Sequence, residues 1–187
     1  MKIAFIIFNQ MTTLDFIGIY DPVTRLKSMG FISDLEWDIC AYTKTVADDK
    51  GLQILPTKVK EPLNTYDIVI IPGGFGTREL KNDNQFIEWI KTSKKVNLKV
   101  SVCTGSVIFG AAGFLLGKSA TTHPTAFEEL RPYCLEVKDL RIVDEGDIIT
   151  ARGVTSAIDI GLYLVEKLAG YEVKEKIAKQ MDYPYSY

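Results

Sequence analysis

Short apolar runs recur along this chain, separated by stretches of helical character. Residues 2–8 are almost wholly apolar, and so are the centres of "LEWDICAYT", "YDIVIIPGG" and "KVSVC". A strand that is apolar on both faces suits the buried position of a parallel sheet. The intervening "NQFIEWIKTSKK" is amphipathic at helical spacing, and "TSAIDIGLYLVEKLAG" and "EVKEKIAKQM" predict two further helices. "GSVIFGAAGFLL" predicts a helix packed closely enough to want small residues. "MTTLDFIGIYDPVTRLKSMG" reads as a loop and then a helix ending at Gly30, with Pro22 breaking or restarting it. "VADDKGLQILP" carries a turn signal at Asp49-Lys50-Gly51 and predicts a small hairpin, and "LRIVDEGDIITA" predicts two strands joined at Glu145-Gly146.

Strands alternating with helices define an open, mainly parallel α/β sheet with helices on both faces. Ligands of such folds sit beyond the carboxyl ends of the strands. Three informative segments fall there: the loop after Phe8, the glycines after Ile71, and Cys103.

Composition narrows the classes. A chain of 187 residues is near the size of one domain, so a single domain over residues 1–187 is expected. With 47% hydrophobic and 25% charged residues it is not a disordered chain. The net charge of −2 and the lack of a Lys/Arg cluster argue against nucleic acid as a partner. Cysteines at 40, 103 and 134 form neither a disulfide framework nor a zinc pattern, and one histidine is too few for a zinc finger, so no metal is expected. The N-terminal run reaches Asn9-Gln10 too soon for a signal peptide. Residues 100–117 approach membrane length, but a strand followed by a helix explains them better, so no membrane partner and a cytoplasmic location are expected.

Candidate chemistry gathers around Cys103. "KVSV" before it and "TGS" after it predict a strand–turn–helix bend, the geometry of a nucleophile elbow. A helix N terminus there favours an anion, so a depressed thiol pKa is expected; the alternative is an inert buried cysteine. His123, the sole histidine, is a candidate base or a structural histidine, and Pro124 favours an extended backbone at it. The glycines of "PGGFG" read either as an oxyanion hole of backbone N–H groups at Gly73, Gly74 and Phe75 or as a tight turn; a phosphate loop lacks its lysine. Asp15, flanked by Leu14 and Phe16, reads as a helix-capping group or as a buried proton carrier. Cys40 reads as core, nothing is assigned to Cys134, and the tail "DYPYSY" packs on a partner, lines a pocket or is disordered.

Together these pieces resemble the ThiJ/PfpI family, within the class I glutamine amidotransferase-like superfamily. The resemblance runs from "IAFIIFNQMTTLDFIGIYDPV" through "DIVIIPGGFG" and "VSVCTGSVIFGAAGFLLGKSATTHP" to "ITARGVTSAIDIGLYLVEKLAG". Cys103-Thr104-Gly105-Ser106 followed by Ala120-Thr121-Thr122-His123 is most similar to the branch that holds isonitrile hydratases and the amidotransferase-like domains of some AraC-type regulators. Those regulators add a helix-turn-helix region, for which 187 residues leave no room, so a stand-alone domain is expected.

The resemblance implies a flavodoxin-like three-layer α/β sandwich with a mainly parallel sheet and a cysteine nucleophile elbow. It implies a homodimer, no cofactor and a small electrophilic substrate. Cys103 matches the nucleophile, and Asp15 the acid that hydrogen-bonds the thiol and moves protons. Gly74 and Thr104 match backbone donors, with the Thr104 side chain beside the reactive site. His123 matches a histidine whose role varies across the family. No third member of a Cys-His-acid triad matches, and Glu128 and Glu129 fit no motif. Arg152 stands where relatives usually carry a small residue. The implied activity is hydration of an isonitrile to an N-substituted formamide. A glyoxalase- or deglycase-like activity on reactive carbonyls, a non-enzymatic redox or stress-response role for Cys103, and a regulator-derived ligand-binding domain remain as alternatives.

Overall fold

The computed structural model describes residues 1–184. The first half runs β1 (Lys2–Ile7), α1 (Thr13–Ser28), β2 (Glu36–Ala41), β3 (Val46–Ala47), β4 (Gln53–Ile54), β5 (Lys58–Val59), β6 (Ile68–Ile71), α2 (Thr77–Leu80) and α3 (Asn84–Lys91). The second half runs β7 (Leu98–Val102), α4 (Gly105–Ala111), β8 (Ser119–Ala120), α5 (Phe127–Leu130), β9 (Glu136–Val137), β10 (Ile142–Asp144), β11 (Ile148–Ala151), α6 (Ser156–Ala169) and α7 (Tyr171–Gln180).

The main sheet has the order β10-β11-β7-β6-β1-β2-β5, and only β10 runs antiparallel to its neighbour. Its central strands are the runs that read as apolar on both faces. β6 and β7 are buried at every position, and β1 at every position after Lys2. Helices cover the sheet, giving the flavodoxin-like sandwich. α1, α6 and α7 pack on one another, and α4 gathers α2, α3 and α5. α3 buries Phe86, Ile87, Trp89 and Ile90, and Asp83 caps it by accepting the N–H groups of Gln85 and Phe86. A cap of that kind stabilises a helix by about 1 kcal/mol. The expected hairpin forms between β3 and β4, and β10 and β11 meet at Glu145-Gly146. No helix among the described residues is long and apolar enough to cross a membrane.

Two local expectations are corrected. Pro22 does not interrupt α1, which is continuous from Thr13 to Ser28. The ring lies against α6 at Gly161, where an added Cβ would stand 2.4 Å from Pro22 Cγ, so the missing side chain makes room for it. Pro22 lacks the N–H that would bond the Gly18 carbonyl, and that carbonyl also faces Gly161. The helix of "GSVIFGAAGFLL" stops at Ala111 rather than running through the segment, because Gly113 turns left-handed at φ +82°. Of the aromatic tail, Tyr183 hydrogen-bonds Asp159 on α6, while residues 185–187 lie outside those described.

Candidate active site

Fully buried β7 leads directly into Cys103, whose φ of +55° puts a non-glycine residue in the left-handed region. A conformation of that kind costs about 1–3 kcal/mol and persists only where neighbours over-determine it. Here four hydrogen bonds do so. The Cys103 N–H donates to the carbonyls of Ala151 at 3.0 Å and Arg152 at 2.9 Å. Its carbonyl accepts from Ser106 Oγ at 3.2 Å and Thr122 Oγ1 at 3.0 Å. The glycine turn after β6 presses against this bend. A Cβ on Gly73 would come within 2.5 Å of the Thr104 nitrogen and 2.7 Å of Cys103 Cβ, so only glycine permits the approach.

Asp15 enters from α1. It caps nothing: Thr12 holds the cap position, and Asp15 points inward with no exposed surface. Its Oδ2 accepts the Gly73 N–H at 3.0 Å. Its Oδ1 is buried without a conventional partner, and the carboxyl's side-chain neighbour is the Cys103 thiol. Burial pushes the Asp15 carboxyl up to about 7, although the Gly73 N–H and the thiol favour its charged form.

The expected depression of the Cys103 pKa is overturned. Cys103 is 5% exposed, and burial, followed by the charge of Asp15, pushes the thiol up to about 12. The N–H and hydroxyl of Thr104 favour the thiolate but are outweighed. The helix terminus that prompted the expectation belongs to a helix only seven residues long. Burial beside a carboxyl dominates its field.

The glycine N–H groups are already used. Gly73 donates to Asp15, and Gly74 donates to Thr104 Oγ1 at 3.0 Å while its carbonyl stands 3.2 Å from the same hydroxyl. An isolated antiparallel bridge between Met11 and Gly74 ties the loop after β1 to the same turn. These residues therefore position Asp15 and Thr104. Phe75 carries its ring outward, 63% exposed, at the rim.

A cavity of about 180 Å³ opens here and brings together Cys103, Thr104, Gly74, Phe75 and His123. Its remaining wall comes from Thr12, Arg78, Thr125 and Val154, which sequence reasoning did not single out. Arg78 had a legible signal: it lies just past the glycine-rich turn, beyond Thr77, that leaves the carboxyl end of a central strand.

His123 is extended at φ −57° and ψ 136°. Its Nδ1 accepts the Thr125 N–H at 3.3 Å and lies 2.8 Å from Thr125 Oγ1. That leaves Nε2 as the protonated nitrogen of the neutral ring. Among the described hydrogen bonds no carboxylate orients the ring. Glu128 pairs with Arg131 at 2.7 Å, and Glu129 with Arg78 at 3.3 Å and Lys81 at 3.2 Å. Arg152 makes a surface contact, ion-paired with Asp139 and lying 5.8 Å from the Phe127 ring centroid. No three His, Cys, Asp or Glu side chains among the described residues stand together as a metal-holding group.

A flavodoxin-like sheet with a strained cysteine at the end of a central strand, facing a buried carboxyl, defines a class. The chain belongs to the DJ-1/PfpI family, whose sequence pattern matches residues 1–167. It is similar to an isonitrile hydratase of Pseudomonas putida, at 35% identity over 187 residues covering 98% of this chain and 78% of that protein. It is also similar to a glutathione-independent glyoxalase of Caenorhabditis elegans, at 30% identity over 142 residues covering 74% of this chain and 76% of that one. A crystal structure of a THiJ/PfpI family protein from Pseudomonas syringae matches with a TM-score of 0.87 at 28% identity, covering 100% of this chain and 76% of that one.

Proposed function

We propose that this chain is a cysteine-dependent enzyme that hydrates a small isonitrile to an N-substituted formamide. The observation that carries the reading is the buried pair of Asp15 and Cys103 at a small cavity. It offers a sulfur nucleophile and, against it, one carboxyl whose proton is exchangeable near neutral pH. The similarity to an isonitrile hydratase supports it.

The terminal carbon of an isonitrile accepts both a nucleophile and a proton. Ionised Asp15 takes the thiol proton as the sulfur bonds to that carbon. It then delivers the proton to the same carbon, giving a thioimidate. Asp15 takes one proton from water as its oxygen bonds to the thioimidate carbon and passes that proton to the nitrogen, then takes the proton of the resulting hydroxyl as the carbonyl forms. The C–S bond then breaks, the sulfur recovers its proton from Asp15, and the formamide leaves. The sum is one isonitrile plus one water. A general base that titrates near the working pH fits both proton steps, and the Thr104 N–H and hydroxyl stabilise the departing sulfur.

The test is direct. Purified protein mixed with simple alkyl isonitriles should yield the formamides by mass spectrometry, and Cys103→Ala should yield none. No turnover across several isonitriles overturns the reading.

One observation favours a second reading, glyoxalase-like chemistry on reactive carbonyls: the His123 ring shares the cavity with Cys103.

A further inference from the structure

The chemistry proposed above uses the floor of the cavity and leaves one wall unexplained. We propose that Arg78 makes this a site for small electrophiles that carry a carboxylate or similar anionic group a short carbon chain away from the reacting carbon. The inference deepens the hydratase reading by naming the class of isonitrile, and it rests on that reading for the reaction but not for the charge preference.

Three observations carry it. First, Arg78 lines the cavity, and its guanidinium carbon lies 5.2 Å from the centroid of the Phe75 ring at the rim. That stacking holds the cation at the mouth instead of letting it swing into solvent. Second, the local charges do not cancel. Arg78 and Lys81 share the single carboxylate of Glu129, so one positive charge is left over. Lys81 takes the hydrogen bond, whereas Arg78 makes only an ion-pair contact at 3.3 Å, so its planar fork stays available to a second carboxylate. Third, no carboxylate lines the cavity: the rest of its polar wall is Thr12, Thr125 and the His123 ring. The site's own carboxyl, Asp15, lies beneath the wall with no exposed surface.

A cation that shares its only carboxylate partner with a lysine, in the wall of the same cavity as the nucleophile, selects anions both by binding and by the rate of encounter. Isocyanoacetate is a probe of the right class, and its methyl ester is the neutral control.

The charge preference is read first without turnover. Cys103 is alkylated with iodoacetate and, separately, with iodoacetamide, and the modified peptide is quantified by mass spectrometry. Both reagents attack the same sulfur, so its ionisation cancels from the ratio of rates. Arg78→Gln should lower the iodoacetate-to-iodoacetamide ratio about tenfold, the loss expected for a charge-assisted contact. Arg78→Lys should keep most of the ratio, Glu129→Gln should raise it, and added salt should lower it in the native protein. A ratio unchanged by Arg78→Gln overturns the inference, whatever reaction the protein runs. In turnover, Arg78→Gln should reduce kcat/KM for isocyanoacetate about tenfold while leaving the methyl ester within about twofold. If alkylation shows the charge preference and no isonitrile is hydrated, the hydratase reading falls and the anion site stands.

Discussion

The carboxyl of Asp15 lies against the thiol of Cys103, and of the two acids the carboxyl is the stronger. It ionises at about 7, the sulfur at about 12. At neutral pH the sulfur is therefore a protonated nucleophile with a base in contact. It is activated as it reacts rather than stored as a thiolate.

Asp15→Asn should separate the two halves of that arrangement. Removing the carboxylate removes the charge that helps hold the thiol pKa up, so the midpoint of Cys103 alkylation against pH should move down. Isonitrile turnover should nevertheless fall, by about 10²-fold or more, because the proton carrier is gone. A midpoint that rises or stays put would show that Asp15 does not set the sulfur's ionisation.

The same carboxyl predicts a slope in stability. In the unfolded chain Asp15 ionises near its ordinary 3.8, and in the fold it holds its proton to about 7. Between those values the folded state binds a proton that the unfolded state has lost. Stability from this group is thus complete below 3.8 and lost as pH rises through 7, on the order of 4 kcal/mol in all. Urea unfolding should find Asp15→Asn more stable than the native protein at pH 8 by about 2–4 kcal/mol and close to it at pH 4. Parallel pH profiles for the two proteins would contradict this.

The bend itself is strained, and cysteine is not the residue its backbone prefers. Both Cys103→Ala and Cys103→Gly remove the sulfur, but only glycine relieves the left-handed φ of +55°. Net of glycine's greater unfolded-state entropy, Cys103→Gly should be the more stable variant by about 0.5–1 kcal/mol. Denaturation midpoints compared at one pH check this, and a clearly more stable alanine variant would mean that the turn stores no strain.

His123 divides the two readings of function. If isonitrile hydration runs through Asp15, His123→Ala should keep it within about tenfold, since no carboxylate among the described residues orients the ring for proton transfer. Carbonyl chemistry that uses the Nε2 proton should fall by about 10²-fold in the same variant. Assaying the purified variant on an alkyl isonitrile and on methylglyoxal gives the comparison.

Much of this was legible in the sequence, for physical reasons. Apolar runs such as β6 and β7 announce themselves because a central parallel strand has no wet face. The bend at Cys103 was readable because a strand must turn sharply to start a helix within a few residues. What escaped depended on partners remote in sequence. Pro22 reads as a break until Gly161 of α6 is seen to receive its ring. The thiol looked acidic when only the adjacent helix was considered, and it is not, because α1 delivers a carboxyl to its side. Arg78 passed unnoticed because α2 is four residues long and leaves no periodic trace.

The four hydrogen bonds that clamp the Cys103 main chain also limit what the sulfur can accept. A tethered backbone cannot retreat when a new bond forms at its side chain. Any crowding in an adduct must be relieved by the incoming molecule. Discrimination then falls on the girth of the electrophile, with straight-chain reagents admitted ahead of branched ones.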